Sequence, residues 1–381
     1  MHFNLTDEQR ALGEMVQRFL SQEYAFEARR RILRSEEGWS REIWGKLGEM
    51  GLLALQVPEA HGGMAPAPVE TLLTLTALGR ALAVEPYVPS AILGTALVRS
   101  LGSEAQQAEL LPAMARGERI AVPAHGEAGA RYDLSRVATT ARREGPGWIL
   151  DGRKAVVLHA SAADLLLVSA RTSGGVADER GISLFAVPLR SPGVKLVPYP
   201  TLDGQRGADV ILDRVTLPAG ALLGPEGGAL PALEAAWDLG VAALCAEAVG
   251  VLQTTLDATT EYTRTRKQFG VPIARFQALQ HRMADMLMHV EQARSMSYLA
   301  AMHAASEDVR ERRRLVSAAK VTVGQACRFV GQQAVQLHGG MGVTDELMVS
   351  HCFKRLLAIE LSLGDTEHHL ERFVALSKAA G

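Results

Sequence analysis

Between Leu5 and about Gly117, apolar residues recur at intervals of three and four, and turn clusters such as Pro58-Glu59-Ala60-His61-Gly62-Gly63 interrupt them. This spacing predicts a set of short helices. Thr6-Asp7-Glu8-Gln9 reads as a capping box that opens the first of them. From about Ile120 to Gly224 the pattern changes to β-rich runs separated by Gly, Pro and Asp: Trp148 to Leu150, Ala155 to Leu158, Leu165 to Val168, Ile182 to Val187, Val194 to Val197 and Val210 to Leu212. Closely spaced strands without intervening helices predict an antiparallel sandwich or barrel. From Ala229 onward the spacing is helical again, in four long segments. On one of these, Phe276, Leu279, Met283, Met286, Val290 and Ala293 alternate steps of three and four, the seam of a helix bundle. The chain therefore reads as α+β and multidomain. An N-terminal helical domain is expected over 1–119, a middle β-barrel or sandwich domain over 120–225, and a C-terminal four-helix bundle over 226–381.

Composition narrows the class. The 381 residues carry 40 basic and 42 acidic side chains, which leaves no surplus of Lys and Arg for binding nucleic acid or a membrane surface. With 48% hydrophobic residues the chain is not disordered, and at roughly 150 residues per domain it holds two or three domains. Cys245, Cys327 and Cys352 lie far apart. An odd, scattered set makes neither a disulfide framework nor a Cys-based zinc site, and it points to a reducing, cytoplasmic compartment. Met1 to Leu5 shows no basic region followed by an apolar run, so no export signal is expected. No membrane span is expected either, since the longest apolar stretch, Gly240 to Leu252, is short for a bilayer and contains Glu247. The aromatic share is 5%, with four tryptophans, which is low for a chain that cradles a large planar ligand by itself.

Most candidate motifs fail on context. Gly339-Gly340-Met341-Gly342 follows a helix rather than a strand and lacks the Gly-x-Gly-x-x-Gly spacing, so it reads as a tight turn between helices. His281 and His289 on one helix are about 12 Å apart at about 1.5 Å per residue, too far to share a metal with Asp285 between them. His338, His368 and His369 have no metal-ligand spacing, and no metal site is expected. Arg310-Glu311-Arg312-Arg313-Arg314, preceded by Glu307 and Asp308, reads as the solvated start of a helix.

The stretch Glu261 to Gln277, EYTRTRKQFGVPIARFQ, is different in kind. A helix is expected to end near Gly270, Pro272 sets a turn, and a new helix starts near Phe276. Arg264, Arg266 and Lys267 precede the turn, where the planar fork of Arg266 can grip a phosphate and Phe269 offers a flat face to a ring. On composition alone, a basic cap on the helix macrodipole accounts for the same cations.

This segment resembles the flavin signature of the acyl-CoA dehydrogenase family, and other stretches agree with that family in order and spacing. Gly51-Leu52-Leu53 through Val57-Pro58-Glu59 to Gly62-Gly63 resembles its N-terminal turn. Val210-Ile211-Leu212-Asp213-Arg214-Val215 resembles its strand before the last zone, and Gln336-Leu337-His338-Gly339-Gly340-Met341-Gly342 its second flavin signature. The resemblance implies an acyl-CoA dehydrogenase-like fold, FAD as cofactor, an acyl-CoA substrate, a place in fatty acid metabolism and an electron-transfer acceptor. It also implies a dimer or tetramer in which FAD crosses a subunit interface. The positions matching the family's ADP-end residues are Arg266, Gln268, Phe269, Gln336 and Gly340, with Gly339 allowing close backbone approach and Gln277 as a further carry-over.

The family's chemistry removes an α-proton with a glutamate while the β-hydride passes to the flavin. Of the two positions the family uses for that glutamate, this chain has Leu363 at one, in Ser362-Leu363-Gly364-Asp365-Thr366, and Gly240 at the other, in Asp238-Leu239-Gly240-Val241. Asp365, Asp238 and Glu234 are the nearby carboxylates, with Asp365 the candidate base. At the flavin ring, Ala124-His125-Gly126 stands for the family's Thr-Glu-Pro, and Val156-Val157-Leu158 for its Trp-Ile-Thr or Trp-Ile-Ser. Val156 cannot stack as Trp does, and Leu158 has no hydroxyl to offer the flavin. A chain that keeps the ADP end and loses the ring end and base is expected to complete its site with a homologous larger subunit. A self-sufficient homo-oligomer with a displaced base and a non-catalytic scaffold subunit are the alternatives.

Overall fold

The computed structural model describes residues 5–378, so most of the expected signal-free N-terminal stretch, Met1 to Asn4, lies outside the described residues. In chain order, the helices α1 (Asp7–Glu23), α2 (Phe26–Arg34), α3 (Arg41–Glu49), α4 (Pro68–Ala81), α5 (Thr95–Leu101) and α6 (Glu104–Ala115) come first. Strands β1 (Ala121–Ala124), β2 (Thr140–Glu144), β3 (Gly147–Leu158), β4 (Leu165–Arg171), β5 (Ile182–Pro188), β6 (Val194–Pro200), β7 (Arg206–Leu217) and β8 (Leu222–Leu223) follow. Then α7 (Leu230–Thr265) leads through the short strands β9 (Lys267–Gln268) and β10 (Val271–Pro272) to α8 (Gln277–His303), α9 (Val309–His338), α10 (Met348–Leu361) and α11 (Thr366–Lys378). The order of helices, sheet and helices is the expected one. The last zone has three long helices, α7, α8 and α9, and two shorter ones.

Two compact units make up the chain. One comprises Ile32–Ala67 and Val84–Gly240 and contains the sheet. Its strands run in the order β6-β7-β3-β2-β4-β5-β8, with β1 beside β4. The pairings are antiparallel except β1 with β4 and the single link of β2 to β4, which are parallel. The two runs expected at Trp148 to Leu150 and Ala155 to Leu158 are halves of one strand, β3, broken by register shifts at Leu150/Gly152 and Lys154/Val157. Leu97, Leu111, Ala121, Leu167, Leu184, Leu223 and Leu233 meet in this unit's core. Loss of apolar surface from water at about 25 cal/mol per Å² is what holds these elements together.

The other unit comprises Met1–Arg31, Pro68–Ala83 and Val241–Gly381. The side chain of Thr6 accepts from Gln9 N and that of Gln9 from Thr6 N, the expected capping box at the start of α1. Central to the helical layer is α9, which packs against α8, α10 and α11. Of the expected seam on α8, Met286, Val290 and Ala293 are fully buried, while Phe276 lies at the exposed end. Helices α4 and α7 cross in close contact. At Gly250 a Cβ would lie 2.0 Å from Thr76 O, and at Gly79 one would lie 2.1 Å from Glu247 O. Thr76 Oγ1 donates to Ala246 O (3.2 Å) and Thr254 Oγ1 to Arg80 O (3.1 Å) across the same crossing.

Among the described residues, α7 is the one helix long and apolar enough to cross a membrane, and 83% of its most apolar window is buried inside the protein. Its Glu247 is buried and receives both Nε and Nη2 of Arg355, at 2.6 and 2.7 Å. All three cysteines are unpaired and buried.

Candidate functional site

In the helical unit, α7 ends at Thr265 rather than near Gly270. The next residues form a two-strand hairpin whose central pair, Phe269 and Gly270, both have positive φ (54° and 82°). That combination is the tight turn whose twist suits a hairpin, and Gly270 supplies half of it without strain. Arg266 is fixed at the root of the hairpin, where its N–H donates to Tyr262 O (2.8 Å) and its carbonyl accepts from Ile273 N (2.8 Å). Phe269, at the tip, is 92% exposed and meets Phe276 edge to face at 6.1 Å. Arg264, Arg266 and Lys267 are exposed, and among the described residues none is tied to a carboxylate. The amide of Gln268 donates to Lys267 O (2.9 Å), and Gln277 is the exposed first residue of α8.

Gln336, Gly339 and Gly340 lie exposed at the end of α9. Gly339 has φ 61° and ψ −142°, a backbone state open only to glycine. A Cβ at Gly339 or Gly340 would meet no atom within 4 Å, so the space beside this backbone is open to an outside group. Tyr262 joins this end of α9 to the end of α7: its ring stacks on His338 at 4.2 Å and 25°. Open backbone, unpaired cations and a bare aromatic face together suit a nucleotide diphosphate.

In the same unit, Leu363 lies in the turn between α10 and α11 with φ 56°. Lys320 is buried and donates to Glu360 O (2.8 Å) and Gly364 O (2.7 Å). Burial pushes its ammonium below the usual lysine range. The imidazole of His369 is pushed down to about 3, first by burial and then by Lys320. It is therefore neutral at pH 7, and Nε2, 3.0 Å from Leu363 O, carries the proton. Glu360 accepts from Thr366 N and Oγ1 at 3.2 and 2.9 Å. Asp365 is 7% exposed and caps α11, its Oδ1 accepting from His368 N (2.9 Å).

In the sheet unit, His125 lies buried with Nδ1 2.9 Å from Ser169 Oγ and its ring edge-on to Trp237 at 5.2 Å. Burial, and then Lys154, push it down to about 3. Lys154 is fully buried, pairs with Glu127 (2.6 Å), and donates to His125 O and Ser169 Oγ. Burial lowers it to about 8 in spite of Glu127. Val156 is 60% exposed with φ 53°. Its N–H faces Tyr199 Oη (3.2 Å) and Asp209 Oδ1 (3.3 Å), while Tyr199 Oη donates to Asp209 and Arg153 pairs with it at 2.6 Å. The backbone donor of Val156 is thus used within the chain. At the other glutamate position, Gly240 is buried in α7, as is Asp238 two residues before it.

The sequence reading missed Tyr262 with its partner His338, and the buried lysines and their acceptors. A lysine at an otherwise apolar helical position, as at Lys320, is the signal for the latter.

Three family models match the chain: acyl-CoA dehydrogenase N-terminal domain over residues 6–118, middle domain over 124–215 and C-terminal domain over 231–375. The probable acyl-CoA dehydrogenase YngJ of Bacillus subtilis is 30% identical over 372 residues, covering 96% of this chain and 97% of that protein. Among solved structures, the Tcur3481-Tcur3483 steroid ACAD variant superposes with a TM-score of 0.87 at 29% identity, covering 98% of this chain and 99% of that one. The ChsE4-ChsE5 complex from Mycobacterium tuberculosis superposes with a TM-score of 0.87 at 28% identity, with 100% of both chains covered.

Proposed function

The chain belongs to the acyl-CoA dehydrogenase family, and from that premise we propose that it is one subunit of a heteromeric, FAD-linked enzyme that oxidises an acyl-CoA at its α,β bond. Arg266, Gln268, Phe269, Gln336, Gly339 and Gly340, with Gln277 beside them, would hold the ADP end of an FAD. A homologous larger subunit would supply the ring pocket and the carboxylate base. When bound, FAD supplies the hydride acceptor. This chain's own part is to grip the diphosphate with fixed cations and backbone donors and so to place the cofactor.

One contrast carries the reading. The nucleotide-end backbone and cations are open to solvent, whereas Val156 N–H is taken up by Tyr199 and Asp209, and the base positions hold Leu363 and Gly240. Support also comes from Ala124-His125, Arg131-Tyr132-Asp133, Val156-Val157-Leu158-His159 and Gly364-Asp365, which resemble the small subunit of pimeloyl-CoA dehydrogenase. That resemblance suggests a dicarboxyl-CoA substrate. Two of the similar structures are also named as pairs of chains. The compartment that suits three buried thiols is the cytoplasm.

The test is the visible spectrum. The chain purified alone should carry little flavin and no dehydrogenase activity, and co-expression with a homologous larger chain should restore both. Full flavin occupancy with turnover by the lone chain would refute the proposal.

A further inference from the structure

We infer that Tyr262 is a positioning residue that sets the Gly339–Gly340 backbone against Arg266 and so holds the two halves of the nucleotide site in register. The inference rests on the proposed nucleotide-end site. Tyr262 touches both halves. Its carbonyl accepts the Arg266 N–H at 2.8 Å and also takes Thr265 Oγ1 at 3.1 Å, which fixes the root of the hairpin. Its ring lies flat on His338, centroids 4.2 Å apart and planes inclined by 25°, with the hydroxyl 3.4 Å from His338 O.

His338 is buried and anchored in turn, its Nδ1 2.8 Å from Ala334 O. The residue after it is Gly339, whose N–H donates to Gln336 O as the cap of α9. A shift of the imidazole would carry the glycine backbone with it. The hairpin and the end of α9 are 76 residues apart at this contact, so no local chain connection holds them together. A site built to grip a diphosphate from two elements loses affinity when their spacing drifts by a fraction of an ångström.

The stack is the part to remove. With ADP as the probe, titrated into the full chain and followed by line broadening of the adenine protons, Tyr262→Leu should weaken binding by roughly three- to tenfold, the worth of an aromatic pair. The urea midpoint should fall only slightly, since one stack is lost from the fold, and the variant should remain folded in buffer. Tyr262→Phe keeps the ring and the carbonyl and should bind ADP within about twofold of the unaltered chain. Arg266→Ala is the control for the site itself and should also weaken ADP. Unchanged binding by Tyr262→Leu beside weakened binding by Arg266→Ala overturns the positioning role and leaves the nucleotide site standing. ADP binding unaffected by Arg266→Ala, or absent in the unaltered chain, overturns the site and this inference with it. If Tyr262→Leu does not fold, His338→Leu removes the same stack from the other side and carries the same expectation.

Discussion

The crossing of α4 and α7 makes a sharp prediction for Gly250→Ala. Replacing a mid-helix glycine by alanine on a free surface favours the helix by about 1 kcal/mol. Here the new Cβ would sit 2.0 Å from Thr76 O, 2.7 Å from Arg80 N and 3.0 Å from Gly79 C. All three are backbone atoms of the facing helix, so no side chain can swing away. Relief requires α4 and α7 to part by more than 1 Å, roughly the gap at which half of a van der Waals well is forfeited along the contact. The separation would also stretch the Thr76 and Thr254 hydrogen bonds to the facing helix.

Overpacking of this kind costs about 1–3 kcal/mol and sometimes more, so at the upper end, which a clash with backbone alone favours, the net loss is up to about 2 kcal/mol after a propensity gain of about 1 kcal/mol. Gly45→Ala is the matched control. It lies within α3, and its added Cβ meets nothing within 4 Å, so it should stabilise by about 0.5–1 kcal/mol. Urea unfolding followed by circular dichroism should move the midpoint down for Gly250→Ala and slightly up for Gly45→Ala. A Gly250→Ala midpoint equal to or above that of the unaltered chain would refute the packing argument, because propensity alone would then decide the outcome.

Three further outcomes are expected. Arg355→Met leaves the buried Glu247 carboxylate without its bidentate partner and should cost about 3–5 kcal/mol, whereas Arg355→Met with Glu247→Leu should recover most of it; urea midpoints of the two variants decide. His125 and His369 both sit at about 3 when folded, against 6.5 for an ordinary histidine. The unfolded chain thus binds more protons between those values, so stability should hold above pH 6.5 and fall as the pH drops toward 3. Replacing His369 with Gln should flatten that acid limb, and an unchanged slope counts against neutral burial of the ring. Asp365→Asn keeps an N-cap acceptor and should fold normally; flavin reduction by acyl-CoA in the assembled complex should persist, and its abolition would make Asp365 the base.

What could be read from the sequence followed hydrophobic period and cap chemistry. The three zones, the Thr6 to Gln9 box and the start of α8 beside Phe276 all depend on local spacing, and all are present. Features set by distant partners were not legible. Strand β2, Thr-Ala-Arg-Arg-Glu, has too few apolar positions to declare itself, and its pairing to β3 supplies what its own pattern lacks. Asp151-Gly152-Arg153 looks like a break between two strands, yet the ladder to β7 continues past it through a bulge. The sequence pattern puts the end of α7 near Gly270, five residues beyond Thr265, because strands of two residues, β9 and β10, leave no periodic trace. The cations and glycines proposed for the nucleotide end are singled out by resemblance. The Tyr262–His338 stack that links them depends on the register of two long helices, which no local pattern records.

One edge of the sheet bears on how copies of this protein can associate. Strand β6 ends the order and pairs on one side with β7, in unbroken register from Val194 to Pro200. Pro198 and Pro200 stand two apart and so aim their missing N–H groups to the same side, and the unbroken ladder to β7 puts that side outward. An approaching strand would find no donor at Pro198 or Pro200, with Val194 N–H already given to Ser191 O (3.1 Å) and only Leu196 left to donate, and with the charge of Lys195 nearby. The Pro198–Pro200 half of this edge is therefore a poor template for strand addition, and subunits that meet there do so through side chains rather than by extending the sheet.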